Sequence, residues 1–179
     1  IYDKFLIKGN LNKLRHKGKS RKPFETRGHF NKCRSIKQRP KEANNRKTAG
    51  HWELDTVVSS RGKSKACLAT IVERKARFLF AVHMPNRKSS TYNKALYRCL
   101  TNLPQSLIRS LAVDRGKEFA KYKDIETKLS TDVFFADPYC PWERGTNENK
   151  NGLLQEYFPK KLDLSKINQI NVNKVLNLL

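Results

Sequence analysis

Apolar and polar positions alternate along "HWELDTVV" (51–58), so an extended chain there puts Trp52, Leu54, Thr56 and Val58 on one face and Glu53, Asp55 and Val57 on the other. "RGKS" (61–64) is a turn signal, "KACLATIV" (65–72) a second strand, "ERKA" another turn, and "RFLFAVH" (77–83) a third strand. Short strands joined by tight turns predict an antiparallel meander. After "MPNRKSS", with Ser90 or Thr91 as N-cap, the residues Tyr92, Ala95, Leu96, Cys99, Leu100 and Leu103 fall on one helical stripe, which predicts a core-facing helix. "SLIRSLAV" (106–113) returns to strand and ends at Asp114 and Gly116; Phe119, Tyr122, Ile125 and Leu129 mark a second helix; "DVFFA" (132–136) is a short strand. A loop, "DPYCPWERG", leads into a third helix within 141–160. The order β-β-β-α-β-α-β-α predicts an α/β chain with a mixed sheet flanked by helices.

The pattern differs before His51. "KLRHKGKSRKPFETRG" has few large apolar residues and is punctuated by Gly and Pro, so residues 1–48 are expected to form a basic arm or linker ahead of a core domain at 49–179. The chain ends in helix-like "VNKVLNLL", and a longer parent protein is expected, with further chain before Ile1 and after Leu179. No apolar run approaches the ~20 residues of a membrane span, and no secretory signal is apparent. The four cysteines, Cys33, Cys67, Cys99 and Cys140, stand 32 or more residues apart without a CxxC pair. That pattern suits reduced packing thiols better than a disulfide framework. His29 and Cys33 have helical spacing for two zinc ligands but lack a second close pair.

Charge then changes the picture. Lys and Arg number 38 against 16 Asp and Glu, a formal net charge of +22, with 16 basic and 3 acidic residues in positions 1–50 alone. A field of that size favours a polyanionic partner, and nucleic acid is the usual one.

Against this background the placement of three acids stands out. Asp55 sits mid-strand, Asp114 at a strand end where the chain turns through Gly116, and Glu148 near the start of the third helix. Strand ends are frequent site positions in α/β sheets. On a helical projection Leu153, Leu154 and Tyr157 oppose Glu148, while Asn151, Gly152 and Gln155 share its side. This predicts an apolar stripe turned inward and a polar face carrying Glu148. Carboxylates beside a core need a partner, an ion pair or a metal. Hard divalent cations take oxygen ligands, and Mg2+ commonly takes one or two carboxylates plus substrate phosphate.

The segments "GHWELDTV" (50–57), "ERKARFLFAVHMPNRKS" (73–89), "DRGKEFA" (114–120) and "DPYCPWERGTNENKNGLLQEYFPK" (137–160) resemble the transposases of the IS30 family, within the larger group of DDE transposases and retroviral integrases. The resemblance implies an RNase H-like fold and places the family's three catalytic, metal-holding carboxylates on Asp55, Asp114 and Glu148. Residues 115–147, thirty-three in all, separate the last two, the family's spacing. It further implies two Mg2+ ions, with Mn2+ able to substitute, and metal-dependent cleavage and strand transfer at insertion-sequence ends. The partners would be double-stranded DNA, both transposon end and target, and further copies of the chain on that DNA. The setting would be the bacterial cytoplasm, at the nucleoid when bound. Asn147, Lys150, Asn151, Arg144, Arg87, Lys88 and Lys117 are candidates for DNA contacts. Two positions depart from the family pattern: Arg115 where Asn is usual, and Gln155 where Arg is usual.

Alternatives are a degenerate copy that binds DNA without cutting it, which Arg115 keeps open, and an RNase H-type nuclease. A tyrosine recombinase would need Tyr139 or Tyr157 among His and Arg residues; Tyr157 lies on the apolar side of its helix. No GxxxxGK[ST] loop suggests a nucleotide cofactor. Trp52, Trp142 and Phe158 could stack on bases, although packing is the commoner use of such residues.

Overall fold

The computed structural model describes residues 33–60, 62, 64–138 and 140–179. Its strands are β1 (Arg34–Ser35), β2 (His51–Val58), β3 (Cys67–Glu73), β4 (Leu79–Met84), β5 (Ser110–Val113) and β6 (Asp132–Phe135). The helices are α1 (Glu42–Asn45), α2 (Ser89–Leu100), α3 (Tyr122–Leu129), α4 (Gly145–Tyr157) and α5 (Gln169–Leu176). All six strands form one sheet in the order β1-β6-β5-β2-β3-β4. The predicted meander is present, with β2–β3 and β3–β4 antiparallel; β5 and β6 join the free side of β2 in parallel, as crossover through helices requires.

The alternation read from β2 sends its side chains into two different cores. Trp52 and Leu54 pack with Ile71, Tyr92, Leu96, Phe119 and Phe135 under α2 and α3. Val57 packs with Leu68, Val72, Leu79 and Ala81 under Leu154 of α4, Phe158 just past its end and Val172 of α5. Helices therefore cover both faces, and β3, buried along its whole length, reads as a nearly continuous apolar run. Each large side chain so enclosed contributes roughly 1.5–3 kcal/mol.

Some expectations change at the element ends. The strand expected at 106–113 is shorter, because Gln105–Leu107 wind into a 3-10 turn and the Leu107 carbonyl accepts the Trp52 indole N–H at 2.7 Å. Phe119 belongs to a separate 3-10 turn ahead of α3, though it is fully buried with the stripe it predicted. In place of a Ser90 or Thr91 cap, α2 begins at Ser89 behind Lys88, and Asn86 accepts from the Lys88 N–H and the Thr91 hydroxyl. Of the expected arm, residues 1–32, His29 included, lie outside the described residues. Residues 34–48 carry β1, which pairs in parallel with β6, and α1, whose Ala43 is buried.

Strand β4 is a sheet edge with unpaired backbone groups. Gln169, at the start of α5, covers two of them: its Oε1 accepts from the His83 N–H at 2.8 Å and its Nε2 donates to the Ala81 carbonyl at 2.9 Å. One side-chain amide thus stands in for a neighbouring strand.

Candidate active site

Parallel pairing of β2 with β5 aligns Trp52 with Leu111 and Glu53 with Ala112, which brings Asp55, midway along β2, level with Asp114, just past the end of β5. The Arg144 guanidinium sits between them, Nη1 3.4 Å from Asp55 Oδ1 and Nη2 3.4 Å from Asp114 Oδ2. It also donates to the Leu54 carbonyl at 3.1 Å. Each carboxylate has further donors. Asp55 accepts from the Thr56 N–H at 2.8 Å and from the Asn151 amide at 3.1 Å; Asp114 accepts from the Gly116 N–H at 2.8 Å. A Cβ at position 116 would lie 2.8 Å from Asp114 Oδ1 and nearer still to the Glu118 carboxylate, so any larger residue there would displace both carboxylates.

The electrostatics are those of two acids sharing one cation. Burial pushes the Asp55 carboxyl above its ordinary value; Arg144 and the Thr56 N–H pull it down, and Asp114 pushes it up again. For Arg144, burial works against the charge, but Asp55 and Asp114 outweigh it and hold the guanidinium protonated. The fully buried Tyr92 hydroxyl donates to the Asp55 carbonyl at 3.3 Å, fixing the strand from beneath.

Glu148 projects from α4 into solvent. A cleft of about 630 Å3 is lined by Asp55, Glu148, Asn151, Gly152 and Gln155 together with the end of β2. The structure therefore joins Asp55 to Asp114 through Arg144, and Asp55 to Glu148 through the cleft. Among the described residues no three His, Cys, Asp or Glu side chains stand close enough together to hold one ion. The donor chemistry nevertheless fits a hard cation. The acids are carboxylates only, they reach solvent, and after Arg144 the Asp55–Asp114 pair keeps an excess negative charge.

The inward face of α4 differs from the expected one. Asn147, Asn151, Leu154 and Phe158 are buried, spaced i, i+4, i+7, i+11, while Tyr157 is 45 % exposed. The reason lies in β2 and β3. Glu53, completely buried, is ion-paired with Arg74 and accepts from the Asn147 N–H at 2.8 Å; the Asn147 amide donates to the Glu53 carbonyl at 2.8 Å and accepts from the Thr70 hydroxyl at 3.0 Å. Asn147 is thus occupied inside the protein, not offered to a nucleic acid, and Asn151 is turned toward Asp55. Glu53, Arg74 and Thr70 were not singled out by the sequence, although Glu53 shares the Asp55 face of β2.

The other candidates divide. Arg87 Nη2 donates to both carboxylate oxygens of the buried Glu118, at 2.8 and 2.9 Å. Lys88 and Lys117 are exposed, and Lys150 is half-buried on the side of α4 away from Glu148. Arg115 keeps a buried Nε without a partner. Trp52 and Phe158 are core residues, whereas Trp142, next to Arg144, is 70 % exposed. Tyr139 lies outside the described residues.

Residues 45–141 match the family model of the integrase core domain, a span that includes Asp55 and Asp114. The chain belongs to that family. This integrase core is 39 % identical, over 78 % of its length, to the transposase InsI for insertion sequence element IS30A of Escherichia coli, and 38 % identical, over 88 %, to a probable transposase for insertion-like sequence element IS1161 of Streptococcus salivarius. The IS30-family resemblance read from the motifs therefore holds over most of the chain. The chain spans 36 % and 44 % of those two relatives. Among solved structures it superposes on a chain of the simian T-cell lymphotropic virus intasome in complex with the PP2A regulatory subunit B56 gamma, with a TM-score of 0.58, 20 % identity, and coverage of 72 % of this chain and 47 % of that one. The fold is RNase H-like, as the element order and the resemblance implied.

Proposed function

We propose that the chain is the catalytic core of a transposase that cuts DNA at the ends of an insertion element and joins the freed 3′-OH to target DNA. The observation that carries this reading is the juxtaposition of Asp55 in β2 with Asp114 just past the end of β5, beside a cleft that Glu148 enters from α4. Asp55, Asp114 and Glu148 would hold the divalent cations, Mg2+ or Mn2+, two of them on the family's pattern. The chemistry such ions supply when bound is neutralisation of the attacking and leaving oxygens in an in-line phosphoryl displacement.

The chain's own residues set the conditions. Gly116 and Thr56 fix the two Asp carboxylates by backbone N–H donors, and Asn151 orients the second oxygen of Asp55. Arg144 restrains the repulsion between the acids without cancelling their charge. The net positive charge would draw DNA to the protein; Lys160 lines the cleft itself, and Trp142, Lys88 and Lys117 are exposed. Further copies of the chain would pair two DNA ends.

The test uses the parent protein, DNA carrying the element's ends, and Mg2+ or Mn2+. Cleavage and strand-transfer products are expected from the wild type and a loss of at least ~100-fold from Glu148→Gln, which keeps shape and removes charge. Equal product from both would overturn the reading. A specific observation favours one alternative: the buried, unpartnered Nε of Arg115 beside Asp114. If the wild type binds DNA without cutting and Arg115→Asn restores cutting, this copy is a DNA-binding remnant.

A further inference from the structure

Helix α4 borders two hollows. Its buried stripe separates the cleft that Glu148 lines from a hollow of about 260 Å3 lined by Arg46, Arg77, Thr146, Asn149 and Lys150. None of the residues lining this hollow is acidic. Its three cations come from three separate places: Arg46 closes α1, Arg77 ends the β3–β4 turn, and Lys150 lies on α4. Arg46 donates to the Thr146 hydroxyl at 3.3 Å, and among the described residues none of the three has a carboxylate partner. Elsewhere the described arginines commonly meet acids: Arg34, Arg74, Arg87, Arg109 and Arg144 all do so. Three cations lining one hollow without a counter-charge leave a local positive potential that an anion there would relieve.

The backbone adds an independent sign. Three non-glycine residues among those described have positive φ, and two of them are Arg46 (52°) and Arg77 (56°). Arginine has no intrinsic preference for that region, where Gly or Asn is the ordinary choice. Arg46 takes this conformation as the left-handed cap that ends α1 and Arg77 as the residue that closes the β3–β4 turn, so what stands out is the choice of arginine at both.

We infer that this hollow is a second anion site that clamps a phosphodiester of double-stranded DNA, on the side of α4 away from the carboxylates. The assignment of the anion to DNA rests on the proposed function. It gives the core two holds on one helix, a reacting phosphate at Glu148 and a non-reacting one at Arg46, Arg77 and Lys150. The clamped group undergoes no chemistry.

The experiment measures affinity for a 30-base-pair duplex in EDTA, as a function of salt, for the wild type, Arg77→Gly and Lys150→Gln. Each lost phosphate contact lowers the slope of log K against log salt by about 0.9, so each variant is expected to bind with a slope shallower by about one. Arg77→Gly should at the same time melt higher than the wild type, since glycine suits the positive φ. Weaker binding with greater thermal stability is a signature that damage to the fold does not produce. Slopes equal to the wild type in both variants overturn the inference. Inorganic phosphate, added at millimolar concentration and followed by the amide resonances of Thr146 and Asn149, forms the second arm. Saturation by phosphate with no response of those amides to duplex would mark a free-phosphate site and also overturn it. If the wild type itself fails to bind duplex, the proposed function falls first, and the phosphate arm still reports whether the hollow takes an anion.

Discussion

At Asn147 a side chain that hydropathy counts as surface material is completely enclosed, and its contacts with the Glu53 carbonyl and with the Thr70 hydroxyl and carbonyl tie α4 to β2 and β3. Replacing Asn147 by Ala leaves the Glu53 carbonyl and the Thr70 hydroxyl without it, so a loss of about 2–3 kcal/mol in urea unfolding is expected, with no change in the salt dependence of DNA binding. Arg144 makes a different prediction. Arg144→Ala leaves Asp55 and Asp114 facing each other and should cost about 1–3 kcal/mol. Because the two acids then lack their guanidinium, millimolar Mg2+ should raise the melting temperature of this variant more than that of the wild type. An equal rise in both would show that Arg144 is not competing for those carboxylates. The three acids were singled out by their placement in two strands and a helix, and the fold sets Asp55 beside Asp114 across Arg144 and beside Glu148 across one cleft. The Glu53–Arg74–Asn147 network was not legible in the sequence, because its members come from three elements and only the fold reveals that a buried acid and a buried amide answer each other.

Among the elements, strands with one dominant pattern were the easiest to anticipate. β2 and β3 follow their alternation and their apolar run, and α2 and α3 bury the stripes predicted for them. α4 escaped because its inward stripe begins with two asparagines; periodicity in apolar residues sees only Leu154 and Phe158 and assigns the wrong neighbours. Two-residue β1 gives no periodic signal at all. Strand β3 carries a checkable consequence. Cys67 lies 1 % exposed at its start, and burial pushes its thiol up to about 12 from an ordinary 9.0. In the native protein Cys67 should resist iodoacetamide at pH 8 and react once denatured. With the folded value above the unfolded one, its contribution to stability is whole below pH 9.0 and is lost as pH rises toward about 12.

Over the whole molecule, a net charge of +22 repels itself and weakens the compact state at low salt. Screening shortens the reach of that repulsion to about 8 Å at 0.15 M, so the melting temperature should rise between about 0.02 and 0.15 M NaCl; a fall would mean that ion pairs outweigh the repulsion. The same repulsion keeps copies apart, and it matters most where the sheet ends. There the Gln169 amide does the work of an absent neighbour for Ala81 and His83. A chain cut ahead of Gln169 would bare the rim of β4, with exposed Phe78 just beyond it, as a template for its own kind. Salt would then reverse its role, silencing the charge that holds two such rims apart and letting truncated copies zip together into growing stacks.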